Sequence, residues 1–377
     1  MSVSTRPSVR EPGDPGSRRL HVLHVAEPVD GGVAAVVLAQ VRDQVERGWS
    51  VSVACPSTGP LGFAARLLGA EVHWWDLGTG TAGGVRAALL LAEVLAATGP
   101  DVVHLHAGRA GVVGRLVVRN RVPTLVEPHG HPAAARTERR LARWTTELVC
   151  ATEGERSRAA ALGMTGPASV LSPGVDLVRL QPLEERDRVL GRRALALPDV
   201  PTALCVGRLT VDKGQRDLLA AWPRVRAQVP DAALHLLGDG PDRPVLERLA
   251  AELEGARVVG RRSDVPTWYG AADVVVVPSR SEELSLVPLE AMASARSVVA
   301  TRVPGILDTV PPGAGALVEV DDHTALADAV AERLTDPERV EDEGWAGRAH
   351  VEAHHDAAAS ANALARVYLK VLGARRR

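Results

Sequence analysis

The sequence has 377 residues, 46% of them apolar and 24% charged, with 44 Lys and Arg against 46 Asp and Glu and a net charge of −2. That length is ample for two α/β domains with full cores. The balanced charge excludes a global basic field for nucleic acid and an acidic solvating tail. Aromatic residues reach only 3%, and Lys213 and Lys370 are the only lysines, so a lysine inside a motif is a marked choice.

Residues 1–19 lack an apolar signal region and read as a disordered lead-in. LHVLHVAE (20–27) reads as a strand, followed by a Gly-Gly turn and a helix over 33–47. A strand (WSVSVACP), a helix (LGFAARLLG), a strand (EVHWWDL), an Ala/Leu helix over 82–97 and a strand (DVVHLHAG) come next. GVVGRLVVRNR, PTLVEPHG, ELVCAT and ASVLSPG continue the alternation. Strands spaced by helices of this length mean βαβ units and a parallel sheet. The polar, Pro-containing stretch SPGVDLVRLQPLEE then reads as an interdomain linker.

A second alternation begins at TALCVGRL and runs through QRDLLAAWPRVRAQV, AALHLLGDG, PVLERLAAEL, ARVVG, DVPTWYGA, DVVVVPS, PLEAMASA, SVVATRV and GALVEV. A helical region over 323–373 ends the chain. The expected fold class is α/β, two Rossmann-like doubly wound parallel-sheet domains facing an interdomain cleft, with ligands beyond the C-terminal strand ends. The expected division is a first domain over 20–175, a linker over 176–184, a second domain over 185–355, and a terminal helix over 356–377 that packs back on the first domain. Cys55, Cys150 and Cys205 sit in apolar strand-like runs and read as core residues with no disulfide framework. A reducing cytoplasm fits. No apolar run reaches the roughly 18–20 residues that span a bilayer, so the expectation is a soluble or peripheral protein.

Four constellations carry chemistry. GRLTVDKG, Gly207 to Gly214, follows the strand TALCV and places Arg208 and Lys213 in one loop; a guanidinium fork plus an ammonium suits a diphosphate. PSRSEELSLVPLEAMA (278–293) offers Glu282 in a loop, Pro288 in the first turn of a helix, and Glu290 just inside it. The N–H groups near Ser285, Leu286 and Val287 would open that helix as an anion site, with the two carboxylates placed to grip polyol hydroxyls. PVDGGVAA (28–35) has Gly31 and Gly32, which permit positive φ and close backbone approach, without the GxGxxG fingerprint or a Walker motif. Lastly, His104, His106, His129 and His131 lie at strand ends. His129 is expected to face the cleft and contact a sugar or acceptor, while the spacing shows no converging zinc pattern. No Asp-x-Asp is present to chelate a metal that bridges a diphosphate, so no metal site is expected.

Together these segments resemble glycosyltransferase family 4, retaining enzymes of GT-B fold. The likeness runs from about residue 20 to 370 through the Gly-Gly loop, DVVHLH, His129, SPGVD, GRLTVDKG, LLGDGP, YGAADVVVVPS and the Glu-x7-Glu segment. It implies a hexosyltransferase-type enzyme that moves a sugar from a UDP or GDP sugar, with no other cofactor and no metal, to an unknown acceptor. A cell-surface polysaccharide or glycolipid intermediate is favoured, with a secondary metabolite as a further option. It implies an acceptor-binding first domain and a donor-binding second domain. By position, Arg208 and Lys213, beside Gly207, would bind the diphosphate and stabilise its departure. Glu290 would hold the ribose, and Glu282 with Ser285, Leu286 and Val287 the donor sugar. Gly31 and Gly32 would approach the phosphate or acceptor, His129 would line the reaction centre, and Gly260 and Arg261 would border the base.

The family often has Glu-Gly-Phe-Gly-Leu, where this chain has Glu282, Glu283, Leu284, Ser285 and Leu286. The added carboxylate of Glu283 would disfavour an acidic donor sugar. A nucleotide-sugar 2-epimerase of the same fold and a silent nucleotide-sugar-binding protein are the competing readings. Nucleic acid is not an expected partner. The oligomeric state, and contact with the inner face of the cell membrane, stay open.

Overall fold

The computed structural model describes residues 19–27, 29–78, 80–106, 108–129, 134–182, 185–282 and 285–374. The expected lead-in up to residue 18, Pro28, His131, Glu283 and Leu284 lie outside the described residues. By contacts the chain divides into two units, Met1–Leu171 with Ala361–Arg377, and Ser172–Ser360.

In chain order the first unit holds β1 (His21–Ala26), α1 (Gly31–Glu46), β2 (Ser50–Cys55), α2 (Leu61–Leu67), β3 (Glu71–Trp74), α3 (Gly80–Thr98), β4 (Val102–His106), α4 (Gly108–Val118), β5 (Thr124–Glu127), α5 (Ala135–Leu141), β6 (Glu147–Cys150), α6 (Glu153–Ala161) and β7 (Ala168–Val170). Among the described residues the strands form one parallel seven-stranded sheet in the order β3-β2-β1-β4-β5-β6-β7. All five residues of β4 and all four of β5 are buried, as expected of inner parallel strands covered on both faces. α1 buries Ala34, Val37, Val41 and Gln44, a stripe at helical spacing that faces the sheet.

The second unit holds α7 (Glu185–Ala194), β8 (Thr202–Val206), α8 (Gln215–Gln228), β9 (Ala233–Leu237), α9 (Arg243–Ala251), β10 (Ala256–Gly260), α10 (Val265–Ala271), β11 (Val274–Val277), α11 (Leu286–Ala293), β12 (Ser297–Thr301), α12 (Pro304–Leu307), β13 (Gly315–Val318), α13 (His323–Thr335) and α14 (Pro337–His354). Its parallel sheet runs β10-β9-β8-β11-β12-β13. Each sheet therefore reverses direction once, between β1 and β4 and between β8 and β11. In open α/β sheets ligands bind beyond the strand ends at that reversal. The two units share this rule of placement, and the sequence motifs fall on it in both.

The contact division falls ahead of the stretch read as a linker. Val175 and Leu180 are buried in the second unit's core, and the Leu180 carbonyl accepts from Arg348 Nη1 at 2.7 Å. The long terminal helical region is three helices. Asp336 caps α14 by accepting from the Arg339 amide at 3.1 Å, with Pro337 at the first helical position, where its missing N–H costs nothing. The last helix, α15 (Ala357–Ala374), sends Leu364, Val367, Tyr368 and Val371 into the first unit's core beside Val22 and Val102. Among the described residues no helix is long and apolar enough to cross a membrane.

Candidate functional site

In the second unit the loop after β8 is drawn against the end of β11. Gly214 has φ 67°, and a Cβ there would stand 1.8 Å from the Pro278 carbonyl oxygen, so only glycine allows the approach. The Arg280 amide donates to the Asp212 carbonyl at 2.8 Å, and Gln215 Nε2 donates to the Arg208 carbonyl at 2.8 Å. These ties bring Lys213 Nζ to 2.6 Å from Glu282 Oε1. The Glu282 side chain is 4% exposed and that of Lys213 21%. Arg208 lies in the same loop with its side chain 53% exposed, 3.9 Å from Asp212. Gly207 anchors the loop through its amide, which donates to the Leu237 carbonyl at 3.0 Å.

Downstream, α11 starts at Leu286 with buried Ser285 as an extended N-cap whose side chain makes no capping bond. Its first amides thus keep their donor capacity at the positive end of the helix dipole. Leu286 and Val287 are half-buried there. One turn on, Glu290 Oε2 accepts from the Tyr269 hydroxyl at 2.7 Å. Burial raises the Glu290 pKa, and the bond from Tyr269 pulls the other way. Gly260 ends β10 at φ 89°, Arg261 beyond it is exposed, and Arg262 pairs with Asp264 at 2.8 Å. Two cations, a half-buried carboxylate and an uncapped helix start in neighbouring loops suit an anionic ligand that also carries hydroxyls.

In the first unit the glycine pair opens α1. Gly31 has φ 68°, and a Cβ on Gly32 would meet nothing within 4 Å. At the histidines the structure departs from the sequence expectation. His129 is buried, at φ 50°, with its ring turned inward. His24, His104, His106 and Glu127 converge with it; the candidate ligand atoms of His106, Glu127 and His129 lie within 4.8 Å of one another, as do those of His24, His104 and His106. Strand register does this, pairing His24 with His104 and His106 with Glu127 on one face of adjacent strands. Spacing along the sequence could not show it.

The contacts run as a chain. His129 Nε2 meets His106 Nδ1 at 3.1 Å, His106 Nε2 meets His24 Nδ1 at 2.9 Å, and His24 Nε2 meets Gln44 Oε1 at 2.9 Å. Gln44 Nε2 then donates to the Tyr368 oxygen at 3.2 Å, which lies 2.7 Å from His104 Nδ1. His104 Nε2 stands 3.3 Å and His106 Nδ1 3.5 Å from Glu127 Oε2, His104 Nε2 making no hydrogen bond, while the same oxygen accepts from Gln40 Nε2 at 2.9 Å. Burial lowers the pKa of His24 to about 4 and those of His104 and His106 well below the ordinary value, while it raises Glu127 to about 7. The sequence reading missed Tyr269, Gln44, Glu127 and Tyr368. A usable signal existed for Glu127, a carboxylate in the apolar run TLVE beside two alternating histidines.

Comparison with known proteins bears on the whole chain. A family model for glycosyl transferase 4-like domains matches residues 31–174, and one for glycosyl transferases group 1 matches residues 200–336. A D-inositol 3-phosphate glycosyltransferase of Catenulispora acidiphila is 32% identical over 303 residues, 71% of this chain and 70% of that protein. The chain belongs to glycosyltransferase family 4. A second member of the family, a GDP-mannose-dependent α-(1-6)-phosphatidylinositol monomannoside mannosyltransferase of Mycolicibacterium smegmatis, is 36% identical over 241 residues. That match covers 58% of this chain and 63% of the relative, so the chain spans somewhat under two thirds of the relative's length. The solved sucrose-phosphate synthase of Thermosynechococcus elongatus superposes with a TM-score of 0.80 at 23% identity, covering 94% of this chain and 100% of the other. Two Rossmann-like domains of the GT-B fold are thereby shown.

Proposed function

We propose that the second unit binds a nucleotide-diphosphate sugar, of the GDP-mannose type, and that the chain transfers the sugar to an inositol phosphate or phosphatidylinositol glycoside. The observation that carries this is the 2.6 Å approach of Lys213 to Glu282, which joins the loop after β8 to the loop that leads into α11. Arg208 and Lys213, with the amides of Ser285, Leu286 and Val287, neutralise the departing diphosphate. Glu290 takes the ribose hydroxyls, Glu282 orients Lys213 and meets the sugar, and Gly260 with Arg261 borders the base. In the first unit Gly31 and Gly32 leave room for phosphate or acceptor, while the buried His129 ring is engaged by His106 and is left out of the sugar contacts. The reaction retains anomeric configuration by front-side attack and needs no divalent ion, since the chain has no Asp-x-Asp pair and its own cations meet the charge.

The names of the two relatives, one GDP-mannose-dependent and one acting on D-inositol 3-phosphate, support this choice of donor and acceptor. An acceptor of the phosphatidylinositol class brings the chain to a membrane surface. A panel of GDP and UDP sugars, crossed with inositol phosphate and phosphatidylinositol acceptors and read by product mass, tests the proposal. It expects transfer from GDP-mannose that persists in EDTA. Wild-type turnover in both Arg208→Gln and Lys213→Gln removes the diphosphate assignment, and activity lost in EDTA but restored by Mg²⁺ contradicts metal independence.

A further inference from the structure

The sequence ARTERRLARW places arginines at 136, 139, 140 and 143, a spacing of i, i+3, i+4 and i+7 that gathers side chains into one stripe of a helix. α5 carries the first three, and a 3₁₀ turn over Ala142–Trp144 that continues it carries the fourth. All four are exposed. Glu138 and Leu141 turn inward instead, and Glu138 Oε2 accepts from Arg115 Nη2 of α4 at 2.7 Å, with both side chains 1% exposed. Glu138 is the only carboxylate of residues 135–146, so the solvent face of α5 keeps its whole positive charge. Elsewhere exposed arginines such as Arg216, Arg224 and Arg280 are matched by carboxylates at 2.7–2.9 Å. Arg136, Arg139, Arg140 and Arg143 make no ion pair among the described residues. The end of α4 extends the face. The guanidinium carbons of Arg119 and Arg143 lie 5.7 and 4.5 Å from the centre of the Trp144 ring. Leu116, whose carbonyl accepts from Arg119 Nε at 3.2 Å, is exposed, and no acidic residue lies between Arg109 and Val126.

We propose that this face, α5 with the end of α4, docks the chain on an anionic phospholipid bilayer. Clustered basic residues on an amphipathic helix attract anionic head groups, and here the cluster stands out against a chain of net charge −2. An indole framed by guanidinium groups, with a leucine beside it, suits the boundary between head groups and acyl chains. A single-stranded nucleic acid would stack its bases on open aromatic rings, whereas the Trp144 ring is half-buried and already meets two guanidinium groups. Position agrees with charge. α5 connects β5 to β6, which are parallel neighbours, so its first turn lies toward the C-terminal ends of those strands, where open α/β sheets hold ligands. A bilayer lying along α5 brings head groups to the ligand end of the first unit. Docking depends on the proposed phosphatidylinositol-type acceptor for its purpose alone; the stripe of unmatched charge stands without it.

Sedimentation of the full chain with vesicles tests the docking, with equimolar phosphatidylcholine and phosphatidylinositol set against phosphatidylcholine alone. Binding is expected to the anionic vesicles only, and it should weaken as salt screens the charges. Combining Arg139→Gln, Arg140→Gln and Arg143→Gln should lower the partition coefficient roughly 10²-fold, at about fivefold per arginine. These side chains are exposed and unpaired, so the melting curve should match wild type. A matched triple variant of exposed arginines elsewhere, Arg42→Gln, Arg86→Gln and Arg248→Gln, changes the net charge equally and should bind as wild type does. Absent binding to the anionic vesicles, undiminished binding by the α5 variant, or an equal loss in the matched variant overturns the proposal. So does tighter binding to a single-stranded RNA than to the anionic vesicles, lost in the same α5 variant. No donor enters the measurement, so its failure leaves the transfer assignment standing. Absence of transfer by wild type to any inositol acceptor would count against that assignment alone.

Discussion

The ends of β8 and β11 and the ends of β1 and β4 occupy the same topological place in two sheets of like strand order, yet they carry opposite chemistry. In the second unit Arg208 keeps 53% of its side chain exposed and Lys213 21%, so charge reaches solvent from loops held by backbone bonds. In the first unit His104 and His106 are fully buried and uncharged by burial, and polarity passes along side chains. Long cations at the surface suit the anionic ligand proposed for the second unit, whereas the first unit keeps its polar groups inside. One strand order thus carries two kinds of polar cluster, decided by what the strands hold near their ends.

Removing the exposed cations gives the largest expected effect. Arg208→Gln and Lys213→Gln should each lower turnover about 10²- to 10³-fold, the usual loss when one preorganised charge-stabilising group goes. They should differ in stability. Arg208 is exposed and its ion pair is long, so its loss should leave the melting temperature unchanged. Lys213→Gln strips the partner from a carboxylate 4% exposed, at a cost of roughly 1–3 kcal/mol for an unsatisfied buried group. Adding Glu282→Gln should restore melting but not turnover. Equal melting curves for both single variants would break the comparison.

Gly214→Ala comes next. The left-handed backbone alone costs about 1–2 kcal/mol, and the overlap with the Pro278 carbonyl adds to it, so a lowered denaturation midpoint and lost nucleotide binding are expected. Glu290→Gln should raise the donor KM about tenfold, near 1.4 kcal/mol of binding, with kcat little changed, as befits a group that grips ground state and transition state alike.

The smallest effect sharpens the first unit's side. His24, His104 and His106 bind protons below 6.5 in the unfolded chain and resist them when folded. Their contribution is therefore present near neutrality and is lost as pH falls from 6.5 toward 4. Glu127 opposes them. The folded chain keeps its proton up to about 7, against 4.5 ordinarily, so its contribution is lost as pH rises across that window. Three protons outweigh one, so the protection of β1 and β4 amides, taken relative to their intrinsic exchange rate at each pH, should fall from pH 7.5 to 5.5. Glu127→Gln should widen the difference between the two pH values, since the opposing proton is gone.

Much of this was legible in the sequence where local order sufficed. The four valines of β11, buried throughout, read as a parallel strand, and GRLTVDKG and the Glu-x7-Glu segment fell on the loops that the fold brings together. What was missed depended on distance or on charge. α7, with the sequence ERDRVLGRRA, has too few apolar positions to show a buried stripe, and the sequence reading named no helix there. Tyr269 meets Glu290 across 21 residues and Tyr368 meets His104 across 264. The histidine and glutamate cluster exists only because three parallel strands lie in register, which no spacing along one strand encodes.

The central claim is that the donor diphosphate sits where the loop after β8 meets the start of α11. Amide hydrogen exchange of the intact chain with and without GDP tests it most directly. Protection is expected over residues 207–215 and 285–290, and it should disappear in Arg208→Gln. Saturating GDP that protects only strands and loops of the first unit, with 207–215 unchanged, would contradict the account.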